Sequence, residues 1–164
     1  MSKPTTRTVA LSTTLPLPAD TVWHLMQQPA TFLYVVPGLL GFPALNGRTE
    51  PFQQGETGTG WLMLFHVLPL HRHTITVVAI DRQKRRTETE ERGGLLRRWH
   101  HTLAVEPVTA TTSRYADTID IDAGPLTGLM YWSATVLFRY RQRRWQHLAR
   151  TLAATEAPTG ARGA

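Results

Sequence analysis

The 164-residue sequence contains no cysteine, which removes disulfide frameworks, thiolate nucleophiles and cysteine-ligated metal centres from consideration. Lysine is almost absent too: Lys3 and Lys84 are the only two, so the 18 basic residues are nearly all arginine. No apolar run is long enough to cross a bilayer, because the longest, from Trp61 to Leu70, is interrupted by His66. Residues 1–20 are rich in Ser, Thr and Pro and lack an apolar stretch of the signal-peptide type, so no membrane span and a cytoplasmic location are expected.

What is present is a globular composition, 41% apolar and 18% charged, of a length that suits one domain. A chain of about 150 residues buries roughly 70% of its unfolded surface, enough for a sizeable core or an internal cavity. The net charge of +6 raises the question of nucleic acid. The basic residues are scattered, however, apart from Arg139, Arg141, Arg143, Arg144 and Arg150, which spread around a helix instead of forming one stripe. Nucleic acid is therefore not expected as a partner, and RNA or partner binding through the arginine-rich helix ranks below a solvated helix face.

Residues 7–15 alternate and are β-branched, as a strand requires, and the prolines at 16 and 18 end it. In PADTVWHLMQQ, Val22, Trp23, Leu25 and Met26 recur at helical spacing, Pro29 closes that helix, and a second short helix runs to Pro37-Gly38. A short strand is expected near 42–45, then a meander over 59–67, 72–81, 87–92, 97–106 and 110–122. Pro69 is read as ending the first of these, and GETGTG as a loop at a cavity mouth; lacking a following helix, it has no phosphate-binding geometry. From 126 to 154 there is no proline, and Leu126, Met130, Ala134, Leu137, Leu148 and Leu152 form one stripe of a long helix. Asp20 and Thr127 are placed to cap the two main helices. Residues 7–154 then make one domain, between a flexible start (1–6) and a disordered tail (155–164). The fold class is α+β: a curved antiparallel sheet wrapped around a long C-terminal helix, with two short helices after the first strand. The space between sheet and helix is where a small molecule would sit.

Several segments also resemble a known family. LPADTVWHLMQQPATFLYVVPG, Gly93-Gly94 followed by Trp99-x-His101, Tyr115-x-Asp117 followed by GPLTGL, and FRYRQRRW are together similar to the START-like helix-grip superfamily, within it to the bacterial polyketide cyclase/dehydrase and lipid-transport (SRPBCC) group. The resemblance spans residues 7–153 and implies a helix-grip fold around a hydrophobic cavity. It also implies either a ligand carrier or a cyclase, with no cofactor.

Strand periodicity puts Trp99, His101, Leu103 and Val105 on one face, and Tyr115, Asp117, Ile119 and Ile121 on another, both read as inward. Thr87, Thr89 and Glu91 form the matching face of the preceding strand, so Glu91, His101 and Asp117 share one concave wall. These three are the candidate acid/base residues of a cyclase or dehydratase. Arg141 and Arg144, near the apolar stripe, are the candidate cations, while Arg139, Arg143 and Arg150 point away from it. The alternative is a buried Asp117–Arg141 ion pair that fixes helix to sheet, with His101 a satisfied core histidine. Trp99, Tyr115, Arg141, Tyr140, Trp61, Phe65, His73 and Met130 are assigned to the ligand, expected to be a hydrophobic or aromatic oxygenated molecule. His71-x-His73 has metal-sharing spacing, but no carboxylate lies at ligand spacing beside it. These are read as surface or edge imidazoles, and no metal is expected. Trp145, among arginines, has no assigned role, and the protein is expected to be a monomer or homodimer.

Overall fold

Strict alternation along residues 113–122 buries Ser113, Tyr115, Asp117, Ile119 and Ile121 and turns the residues between them outward, so this strand has one dry face. It belongs to a computed structural model that describes residues 6–36, 40–64 and 67–156. The expected Pro37-Gly38 stop, Phe65 and most of both termini lie outside the described residues. The elements in chain order are β1 (Arg7–Leu15), α1 (Ala19–Met26), α2 (Pro29–Val35), β2 (Leu40–Gly41), β3 (Thr57–Leu64), β4 (Leu68–Asp81), β5 (Arg86–Gly93), β6 (Leu96–Pro107), β7 (Ser113–Asp122) and α3 (Thr127–Glu156).

The strands form one antiparallel sheet in the order β1-β7-β6-β5-β4-β3-β2, and the long helix packs against its concave face. This is the helix-grip arrangement. Antiparallel pairing brings the β3–β4, β5–β6 and β7–α3 connections to the same end of the sheet. The core has two parts. Leu15, Val22, Val35, Val105, Tyr115 and Trp145 pack under α1 and α2, while Val9, Ile119, Ile121, Ala134 and Phe138 pack under the first half of α3. Burying Trp145 alone removes roughly 200 Å² from water, on the order of 5 kcal/mol before entropy is counted. Its ring stacks at 4.9 Å on Tyr115, which gives this residue its structural role.

Several boundaries differ from the sequence expectation. The strand near 42–45 is a single 3₁₀ turn, Pro43–Leu45, preceded by the two-residue β2, because Pro43 has no N–H for a ladder and suits the first helical position. Pro69 does not end a strand: it lies at the start of β4, opposite a register shift at Leu62/Met63 where the ladder is already broken. GETGTG is partly strand, since Gly58 and Gly60 lie within β3; a Cβ at Gly60 would come within 2.8 Å of the Ala44 side chain. Asp20 is not the α1 cap, which is Pro18; it lies in the first turn and pairs with Arg85 at 2.6 Å. Thr127 does hold the start of α3, its Oγ1 accepting from Ala123 N at 2.9 Å and donating to Gly124 O at 2.7 Å. The buried stripe of α3 is Ala134, Phe138, Arg141, Trp145 and Ala149, and Leu126 is exposed. The expected stripe is rotated because part of the inner face of α3, Met130 and Leu137 included, faces a cavity instead of packed side chains.

Candidate functional site

Between the sheet and α3 lies a cavity of about 730 Å³, large enough for a molecule of several rings. Phe32, Val35, Phe42, Ile75, Leu103 and Phe138 represent its largely apolar wall. One strip of that wall is polar. It crosses the sheet diagonally, from His71 and His73 on β4 through Glu91 on β5 to His101 on β6, with Arg141 reaching in from α3.

Hydrogen bonds join the strip at its two ends, and a longer charge contact between Glu91 and His101 joins the two halves. His71 Nε2 lies 3.3 Å from His73 Nδ1, and His73 Nε2 lies 2.9 Å from Glu91 Oε2. Glu91 Oε1 stands 3.9 Å from His101 Nδ1, whose other nitrogen, Nε2, lies 2.9 Å from Asp117 Oδ1. Behind His101, Tyr115 OH donates to Asp117 Oδ1 at 2.7 Å, Gln142 Nε2 donates to Oδ2 at 3.3 Å, and Arg141 Nη2 donates to Tyr115 OH at 3.2 Å. The register explains the diagonal: Thr89 is opposite His101, and Leu103 is opposite Asp117, so each partner is two residues off the direct pair. Phe138 closes the group from above, with its ring edge-on to His101 at 4.9 Å and its face 5.6 Å from the Arg141 guanidinium.

The electrostatics follow from burial against pairing. Burial pushes the Asp117 carboxyl up, but Arg141, His101 and Tyr115 outweigh it and hold the group below its ordinary value. Glu91 behaves alike: burial raises it, and His73, with His101 and Arg141 further off, lowers it more. Burial pushes the Tyr115 phenol far above its usual range. It also lowers the His71 imidazole, with help from the neighbouring His73. For Arg141, burial opposes the charge, but Tyr115 and Asp117 prevail and raise its value. With Asp117 and Glu91 ionised, His101 Nε2 and His73 Nε2 are the donors in their hydrogen bonds to them. His101 is therefore an imidazole held between two carboxylates on the wall of an apolar cavity, a geometry able to take up or release a proton.

Glu91, His101, Arg141, Trp99, Met130 and His73 all line the cavity, and Trp61 stands half exposed at its edge. Asp117 and Tyr115 do not reach the cavity: both are fully buried behind His101 and Arg141. Tyr140 is also placed otherwise than expected, exposed on the outer side of α3 because it follows the apolar stripe by half a turn. Phe65 lies outside the described residues. The imidazoles of His71 and His73 are not surface groups: β4 lies inside the sheet, both rings line the cavity, and Phe42 packs edge-on against His73, which is only 7% exposed. Among the described residues no three His, Asp or Glu side chains come together as a metal site. The sequence reading missed Gln142, Phe138 and Trp145. The helical wheel could have found the last two, since both share the Ala134 stripe; nothing in the sequence marks Gln142 out.

The architecture is a START-like helix-grip fold enclosing a ligand-sized cavity. Within that class the chain belongs to the family described as Domain of unknown function (DUF8410), whose model matches residues 13–152. No curated protein matches it by sequence. Among solved structures it is similar to norcoclaurine synthase from Thalictrum flavum in complex with dopamine and hydroxybenzaldehyde, with a TM-score of 0.65, 12% identity, and 89% and 87% of the two chains covered. The Zhui aromatase/cyclase from Streptomyces sp. R1128 superposes with a TM-score of 0.62 at 13% identity, over 95% of this chain and 98% of that one. A START superfamily protein from Mycobacterium smegmatis has a TM-score of 0.61 at 10% identity, over 88% and 98%. At such identities the likeness is one of fold.

Proposed function

We propose that the chain binds a small apolar or aromatic molecule carrying oxygen acceptors, held between the sheet and α3. The observation that carries this reading is the cavity of about 730 Å³ with a largely apolar wall crossed by one polar strip; two residues that line it, Trp99 and Trp145, also keep buried Nε1–H groups with no hydrogen-bond acceptor among the described residues. A buried donor left unpaired costs about 1–3 kcal/mol, so a ligand that brings an oxygen recovers that energy while its rings fill the apolar wall. Two proteins of similar fold support the same chemistry, one crystallised with oxygenated aromatics and one an aromatase/cyclase.

The test is native mass spectrometry of the purified protein beside its denatured mass, followed by displacement of the dye 1-anilinonaphthalene-8-sulfonate. A retained small molecule, or dye binding that Ser133→Phe weakens at least about tenfold by filling the cavity, fits the reading. Equal dye affinity in both proteins, with no retained molecule, overturns it.

A second reading is favoured by the placement of His101 between Glu91 and Asp117. A carbonyl substrate polarised by Arg141 would find His101 in reach as acid or base for cyclisation or dehydration, with no cofactor. In that case His101→Gln slows the loss of water from an aromatic β-hydroxyketone, in which the α-proton leaves to a base and the β-hydroxyl leaves as water, by about a hundredfold or more while dye affinity stays within about tenfold.

A further inference from the structure

The end of the sheet where β3 turns into β4, β5 into β6 and β7 runs on to α3 carries several exposed apolar side chains, uncovered among the described residues. Val67 and Leu68 project from the first turn and Leu95, 61% exposed, from the second. Leu129 and Trp132, the latter 64% exposed, project from the opening turns of α3. Val136 and Tyr140 extend the patch along the outer side of the helix, whereas Val78 and Val108, elsewhere on the surface, stand singly. Isolated exposed apolar residues are ordinary; a cluster drawn from three separate elements is not. Leu70 and Leu95 line the cavity and are also exposed, so the cavity opens at this end.

The same end is ringed by arginine. Arg72, Arg92, Arg97 and Arg98 are exposed on β4, β5 and β6, against Glu90 and Asp122 as the nearby acids. Apolar tips inside a basic collar complement a surface that is hydrocarbon within and anionic at its edge. A two-fold contact with a second copy would bring the collar against itself, setting like charges together.

We propose that this end docks on an anionic lipid membrane, seating Leu68, Leu95, Leu129 and Trp132 among the acyl chains and the arginines among the headgroups. The cavity mouth then faces the bilayer, and an apolar ligand can pass between the two without crossing water. Contact is peripheral, since no helix among the described residues is long and apolar enough to span. The proposal goes beyond the ligand reading and does not depend on it, because vesicle binding is measured with no ligand present.

The experiment is flotation with vesicles of phosphatidylcholine, with and without phosphatidylglycerol. The expected result is binding only when phosphatidylglycerol is present, weakening as salt rises, with roughly fivefold lost for each of Arg72→Gln and Arg98→Gln. Leu95→Glu with Leu129→Glu should reduce the bound fraction at least about tenfold. In the unaltered protein, vesicles with brominated acyl chains should quench fluorescence that Trp132→Phe removes, a readout independent of whether a charge variant folds. No flotation, flotation that the substitutions leave unchanged, or absence of quenching overturns the proposal. So does a dimer in light scattering that the Leu95/Leu129 variant splits, which would assign the patch to a second copy.

Discussion

His101 Nε2 donates to Asp117 Oδ1 at 2.9 Å, and the carboxylate that receives it has no exposed surface at all. The pair straddles two strands, with the imidazole on the cavity wall and the carboxylate behind it. Four groups converge on Asp117, from β6, from its own strand and from α3: His101, Tyr115, Gln142 and Arg141. The carboxylate therefore ties the sheet to the helix and orients the one imidazole that borders the cavity between two carboxylates.

Asp117→Asn should destabilise the fold by about 3 kcal/mol, because it leaves the Arg141 charge buried without its partner. At this chain length that corresponds to a melting temperature lower by roughly 6–12 °C. The sign of the pH dependence follows from the depressed value of Asp117. Its contribution is fully present above the unfolded value near 3.9 and is lost as pH falls through the lower folded value. Melting temperatures across acidic pH should thus fall more steeply for the unaltered protein than for Asp117→Asn; parallel curves would refute the ion pair.

Gly93 has φ of +152° at the end of β5, and a Cβ there would lie 2.5 Å from Arg72 O and 2.7 Å from the His71 ring. Gly93→Ala should cost on the order of 1–3 kcal/mol and displace His71 from His73. Gly58, also on the cavity wall, has no atom within 4 Å of its Cβ position, so Gly58→Ala should change stability by no more than about 0.5 kcal/mol. Urea unfolding of the two variants makes the comparison.

Most of this fold was legible because its signals are local. Proline or glycine marks the ends of β1, β5, β6 and β7, and period-two burial along β7 follows directly from Tyr115-x-Asp117-x-Ile119-x-Ile121. The same periodicity put Glu91, His101 and Asp117 on one side of the sheet. It could not separate a residue on the cavity wall from one behind it, since His101 and Asp117 face the same way and only the insertion of Arg141, Phe138 and Trp145 decides which is covered. Bulges were illegible for a related reason. The register shift at Leu62/Met63 that admits Pro69 arises from pairing between strands, which no single segment encodes. The His71–His73 pair was misread because its burial comes from elements outside β4.

The His71 imidazole should take up its proton below the ordinary histidine range, since burial and the neighbouring His73 disfavour the charge. A depressed base stabilises the fold above its unfolded value near 6.5 and loses that contribution as pH falls through the folded one. His71→Gln should therefore flatten the fall in melting temperature between about pH 7 and 5. Proton NMR of the ring supplies the direct check: a midpoint at or above 6.5 contradicts the placement.

Tyr115 joins the polar group to the apolar core, its hydroxyl on Asp117 and Arg141 and its ring on Trp145. Tyr115→Phe keeps the ring contact and removes two hydrogen bonds with charged groups, the one given to Asp117 and the one received from Arg141, a loss of about 3 kcal/mol or more. Trp145→Ala keeps the hydroxyl network but empties the volume beneath it, for about 3–5 kcal/mol. Because the rings touch, pairing Trp145→Ala with Tyr115→Ala, which does remove the ring, should cost less than the sum of those two single changes, by about 0.5–1.5 kcal/mol. Strict additivity in urea unfolding would mean that the stacking contributes nothing beyond burial. The same Tyr115→Phe protein tests the ionisation. Burial holds the phenol proton far into the alkaline range, so the native-state tyrosinate absorbance on raising pH should match that of the unaltered protein until unfolding begins.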